Sequence, residues 1–147
     1  VLNHLNEGWD LMIGHPTCTF ICRNRARLNK IESKEIDISL FMSLLNADIP
    51  KICIENPVPS LKAGLPKYDQ IIQPYQFGHD HSKKTCLWLK NLPKLNHTKI
   101  VELTYITTKN GHRYTRGWYK TPRNSTDRSR TFTGIAEAMA NQWGNVK

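Results

Sequence analysis

No apolar stretch of the 147-residue chain approaches the roughly 18 consecutive residues that a membrane span needs. Val1-Leu2-Asn3-His4 has neither a basic flank nor an apolar signal core, which argues against secretion. Cysteine is scarce: Cys18, Cys22, Cys53 and Cys86 do not suggest a disulfide framework, and Cys53 and Cys86 sit inside apolar, strand-like runs. That usage fits reduced thiols in a cytoplasmic protein. There is no internal repeat and no low-complexity tract. An initiator methionine is also missing, so Val1 is expected to open a fragment, a processed product or an incomplete reading frame.

Acidic residues are scarce in one half only. Residues 1–80 hold 8 Lys and Arg against 9 Asp and Glu, whereas residues 81–147 hold 13 against 3. The net charges of −1 and +10 sum to the +9 of the whole chain. A near-neutral scaffold joined to a strongly basic segment predicts a surface that faces a polyanion, and nucleic acid is the expected partner. The alternative is a basic face that is merely solvated.

The length suits one domain with a real core. Residues 9–14 read as a buried strand ending at Gly14, and residues 51–55 as a second. Short apolar runs closed by Gly or Pro and separated by helical pattern predict an α/β fold with a parallel sheet. Ser33 is a candidate N-cap for a helix carrying Ile36, Leu40, Phe41, Leu44 and Leu45, which Pro50 stops. Pro57, Pro59, Gly64 and Pro66 limit residues 57–67 to turns or a short helix. Strands are expected at Ile71-Ile72 and at 85–89. Residues 99–107 alternate like an exposed strand, and Asn110-Gly111 signals a hairpin whose return runs over 112–119. A last helix is expected from Gly134 to Trp143, with Ile135, Ala136, Met139 and Trp143 on its apolar face and Gly144 as its stop. Trp9, Trp88 and Trp143 are expected in the core. These limits divide the chain into a core (1–92), a small basic insertion (93–132) and a C-terminal helix returning to the core (133–147).

In parallel sheets, ligands gather beyond the carboxyl ends of the strands. Two segments lie there: Gly14-His15-Pro16-Thr17-Cys18-Thr19 after the first strand, and Glu55-Asn56-Pro57 at the end of the second. They bring a thiol and a carboxylate to one edge, as a nucleophile and a proton donor or hydrogen-bonding acid. Arg23, Arg25 and Arg27 follow closely, and the guanidinium of Arg23 or Arg25 folding back would lower the pKa of Cys18. The alternative is a packed thiol with a helix-capping carboxylate. Zinc is not expected, because the Cys18/Cys22 spacing lacks a second clean pair. His79 and His81 are expected in solvent or in a loop near the site. Lys109, Arg113, Arg116, Lys120, Arg123, Arg128 and Arg130 are opposed only by Asp127, and Tyr114, Trp118 and Tyr119 are interleaved with them. That pattern suits phosphate and base contacts.

His15-Pro16-Thr17-Cys18 and Glu55-Asn56-Pro57 resemble the Pro-Cys and Glu-Asn-Val elements of the DNA cytosine-5 methyltransferases. A phage-type branch of that family, with His-Pro-Pro-Cys-Thr and Glu-Asn-Pro, is the nearer likeness. It also has counterparts of Gln73-Pro74-Tyr75-Gln76-Phe77-Gly78-His79, Thr85-Cys86-Leu87-Trp88-Leu89 and the segment from Ser129 to Ala136. The resemblance covers roughly residues 9–92 and 127–144.

This resemblance implies a Rossmann-like methyltransferase core, incomplete at its N-terminus and carrying a small basic β-hairpin insertion. It implies methyl transfer from S-adenosylmethionine to cytosine, with Cys18 as nucleophile and Glu55 holding the flipped base. Pro16 and Asn56 are implied beside the base, Asn56 bracing the loop. Lys83, Lys84, Arg113 and Arg116 are implied DNA contacts, the alternative for Lys83 and Lys84 being a solvated pair. Two departures stand out. Thr17 replaces the second Pro of the element, and no glycine-rich loop that would cradle the cofactor follows a first strand. The alternative is therefore a non-catalytic DNA-binding remnant. A homo-oligomer, or a segment preceding Val1, is a further candidate to complete the sheet.

Overall fold

In a computed structural model, residues 1–19, 21–22, 36–124, 127 and 129–144 are described. Their regular elements are β1 (Leu11–Gly14), α1 (Ser39–Leu45), β2 (Lys51–Pro57), β3 (Gln70–Ile72), β4 (Thr85–Lys90), β5 (Tyr105–Thr107), β6 (Arg113–Thr115), α2 (Arg116–Lys120) and α3 (Thr133–Trp143). Short 3-10 turns lie at Leu2–His4, Leu61–Ala63 and Pro74–Gln76. The chain divides into two compact units, Val1–Ile71 with Lys84–Lys94, and Ile72–Lys83 with Leu95–Lys147. The last helix is assigned to the second.

The fold is mixed α/β. The main sheet has the order β1-β2-β4-β3. β1 and β2 are parallel, with Leu11 opposite Lys51 and Gly14 opposite Ile54. β4 runs antiparallel to β2, from Ile52 opposite Lys90 to Pro57 opposite Thr85. The sheet is therefore mixed, not parallel throughout. The continuous apolar run Cys86-Leu87-Trp88 demands burial on both faces, which either strand direction provides.

β1 is less buried than expected. It is an edge strand among the described residues, Ile13 is partly exposed, and Trp9 lies in solvent with its indole N–H donating to the His4 carbonyl at 2.8 Å. Trp9 is thus not a core residue, whereas Trp88 and Trp143 are. The core of the first unit is centred on Trp88, with Phe41, Leu44, Ile49, Ile52 and Ile54 around it. Phe41 and Tyr68 meet the Trp88 ring edge-on at centroid distances of 4.9 and 6.0 Å, and the Pro66 carbonyl accepts its N–H at 2.8 Å. Apolar area is buried there without an unpaired indole donor.

α1 starts at Ser39, later than the helical spacing suggests, and Ser33 lies outside the described residues. Asp37 accepts the Ser39 amide at 2.8 Å, so the chain enters the helix through an Asp whose side chain offers the backbone a partner. Phe41 and Leu44 are buried, but Leu40 is exposed.

In the second unit, β5 and β6 form the hairpin signalled by Asn110-Gly111. Tyr105 pairs with Thr115, Ile106 with Tyr114 and Thr107 with Arg113. Gly111 takes the positive φ (77°) of the turn. The strand expected over 99–107 is confined to Tyr105–Thr107. Just before it, the Thr104 amide and hydroxyl both donate to the Asp80 carboxylate, and the Val101 amide donates to the Tyr75 carbonyl. The return strand also ends early, at Thr115, where the chain turns into α2. Gly117 is required there: its N–H donates to the Asp80 carbonyl at 3.1 Å, and an added Cβ would stand 2.1 Å from that oxygen.

α3 buries Ile135, Ala138, Met139 and Trp143, while Ala136 faces out. Gly144 ends the helix with an ordinary helical φ of −63°, not a left-handed stop.

Candidate active site at the end of the parallel strand pair

The parallel register fixes what meets beyond the strands. Gly14 stands level with Ile54, so His15 and Glu55 leave the pair together. His15 Nδ1 lies 2.7 Å from Glu55 Oε2, with side-chain exposures of 46% and 13%. One residue further, the Asn56 amide Nδ2 donates to the Pro16 carbonyl at 3.0 Å, and both residues are buried. Beyond these, the Ser60 amide donates to the Ile21 carbonyl at 2.8 Å, and Cys22 bridges to Pro59. The segment after β1 is thereby laced along the segment after β2.

Cys18 sits between the two sets of ties. Its carbonyl accepts the Cys22 amide at 3.1 Å, closing a turn. Among the four cysteines only Cys18 is not buried. Burial, reinforced by Glu55, pushes the Cys53 thiol far up, and burial raises Cys86 to about 11. Those two are protonated packing groups at neutral pH, which leaves Cys18 as the thiol open to chemistry. Glu55 lies inside β2 and caps no helix. Asn56 Oδ1 is buried and has no hydrogen-bond partner among the described residues. Arg23 and Arg25, expected to tune Cys18, lie outside the described residues, as does Arg27.

Sequence reasoning missed His15. Its signal was the parallel register itself, which sets it level with Glu55, and alternation of residue types does not reveal register.

No family model, curated protein or solved structure matches this chain. The site therefore rests on its own geometry. That geometry does not include a nucleotide cradle: among the described residues no glycine-rich turn follows a strand into a helix. Gly14 serves packing instead, since a Cβ there would stand 2.9 Å from Ile54 Cδ1. No group of three or more His, Cys, Asp or Glu side chains among them could hold a metal. No helix among them is long and apolar enough to cross a membrane.

The expected basic contacts divide between the units. Lys84, in the first, is exposed; Lys83, in the second, is half-buried. On the hairpin, Arg113 is exposed with its guanidinium 3.9 Å above the Tyr105 ring, and Arg116 is exposed at the start of α2. Tyr114 and Trp118 stack on each other at 4.8 Å, so these two aromatics pack within the unit, whereas Tyr105 and Tyr119 remain open to solvent. Arg128 lies outside the described residues. His79 and His81 are not solvent groups: the His79 ring accepts the Gly134 amide at 3.1 Å, and His81 is buried against Phe132 at 4.8 Å.

Proposed function

We propose that this chain is a DNA cytosine-5 methyltransferase-like protein with a Rossmann-like core, in which Cys18 attacks cytosine and Glu55 holds the base. The supporting observation is the lacing of the Cys18 loop onto Glu55 and Asn56 through the His15–Glu55 and Pro16–Asn56 contacts. Cytosine C5 is a poor nucleophile until a thiolate adds at C6 and turns the ring into an enamine. Addition places electron density on N3, where a carboxyl group that hydrogen-bonds the N3 and N4 edge and supplies a proton lowers the barrier. The base must leave the duplex to be reached. Arg113 and Arg116 add phosphate contacts, and S-adenosylmethionine would supply the methyl group.

The second reading is a DNA-binding remnant without catalysis, favoured by the lack of a glycine-rich cradle among the described residues. The test is transfer of labelled methyl from S-adenosylmethionine to duplex DNA. Wild type should transfer, and Cys18→Ser should fall to background while still binding DNA. Transfer by Cys18→Ser removes the nucleophile assignment. DNA binding without transfer by wild type establishes the remnant.

A further inference from the structure

The reaction proposed above needs a proton on Glu55 at the moment of attack. An isolated Glu carboxyl, with a pKa of about 4.3, is ionised at neutral pH, whereas an imidazole holds its proton up to about 6.5. His15 Nδ1 is 2.7 Å from Glu55 Oε2, close enough for one proton to serve both groups. Their exposures differ in a useful way. The imidazole is half open to water, and the carboxyl is nearly enclosed. Among the described residues on the adjoining strands, Leu87 on β4 is Glu55's register partner, and Cys53 on β2 is held protonated.

We infer that His15 and Glu55 form a proton-sharing pair, in which His15 takes its proton from solvent and Glu55 delivers it to the base. The delivery step rests on the methyltransferase reading; the sharing does not. As the Cys18 thiolate forms the S–C6 bond, the C5=C6 π pair moves to C4=C5 and the C4=N3 π pair forms the new N3–H bond. The pair's one proton passes to that bond from Glu55 as His15 Nδ1 gives it up, leaving a carboxylate and a neutral imidazole that regains a proton from bulk solvent only after turnover. Net charge is conserved, because the thiolate's negative charge is matched by the loss of the imidazolium. His15 acts through Glu55, against which it lies, so it is a positioning residue.

Two measurements test this. The first is an NMR titration of the His15 ring, assigned by its loss in His15→Gln, in wild type and in Glu55→Gln. The His15 pKa in wild type should exceed that in Glu55→Gln by about one unit or more. Equal values overturn the pair. The second is the pH–rate profile of methyl transfer in wild type and His15→Gln, whose amide can still donate to Glu55 but cannot titrate. Wild-type transfer should decline as the pair loses its proton. His15→Gln should be slower by about 10²-fold or more and should lack that decline. Identical profiles overturn delivery through His15. A shifted His15 titration in a wild type that transfers no methyl group upholds the shared proton and fails the methyltransferase reading.

Discussion

Replacing Asn56 by aspartate exchanges a hydrogen-bond donor for an acceptor with almost no change of shape. The amide Nδ2 donates to the Pro16 carbonyl at 3.0 Å, and the side chain is 1% exposed. An ionised carboxylate there would face a carbonyl oxygen in a site shut off from water, a costly arrangement. A protonated carboxyl could donate to Pro16 and restore the contact. Holding a carboxyl of ordinary pKa about 3.9 in its protonated form costs about 1.36 kcal/mol per pH unit above that value. Asn56→Asp should therefore lose up to about 4 kcal/mol at pH 7 and about 1.5 kcal/mol at pH 5. The sign follows from a raised folded-state pKa: the variant's stability is intact below about 3.9 and is lost as pH rises through the folded value. Urea unfolding followed by far-UV circular dichroism at both pH values measures this as variant minus wild type, so other titrating groups cancel. A difference below about 1 kcal/mol at pH 7, unchanged at pH 5, would refute Asn56 as the buried tie between the Cys18 loop and β2.

Burial, with Lys83 nearby, holds the His81 imidazole below its ordinary value, and its Nδ1 has no partner among the described residues. The stability this contributes is present above the unfolded value of about 6.5 and is lost as pH falls toward and through the folded one; His81→Leu should flatten that decline between pH 7.5 and 5.5 in urea titrations, and an unchanged slope contradicts it. Gly117→Ala, which sets a Cβ 2.1 Å from the Asp80 carbonyl oxygen, should cost about 1–3 kcal/mol and lower the thermal midpoint; an unmoved midpoint shows that the approach is not tight. Arg113→Gln combined with Arg116→Gln should weaken DNA binding and reduce the slope of log affinity against log salt by about two, and an unchanged slope assigns the hairpin to solvent.

What the sequence made legible was burial and punctuation. β2 and β4 follow from apolar runs too dense for a surface, the hairpin from Asn110-Gly111, and α3 from the spacing of Ile135, Met139 and Trp143. Pairing was not legible. The run from Thr85 to Leu89 asks for enclosure but carries no direction, so its antiparallel placement is invisible until β2 is beside it. Asp80 takes Thr104 out of an otherwise well-formed alternation, a contact 24 residues long in sequence. Ala136 and Ala138 are the same residue near one edge of the apolar stripe, and packing alone decides which is covered. At the candidate site, the segment carrying Cys18 beyond β1 and the position of Glu55 late in the second apolar run were readable from where the runs stop. The approach of His15 to Glu55 was not, because it comes from register.

The central claim is that Cys18 adds to C6 of a cytosine held by Glu55. Addition alone makes C5 an enamine carbon that exchanges its hydrogen with water, with no methyl donor present. The decisive measurement is tritium release from [5-³H]cytosine in DNA incubated with the chain. Release by wild type, background levels in Cys18→Ser, and a fall of about 10²-fold or more in Glu55→Gln are predicted. Equal release by Cys18→Ser, or none from wild type with DNA bound, contradicts the account.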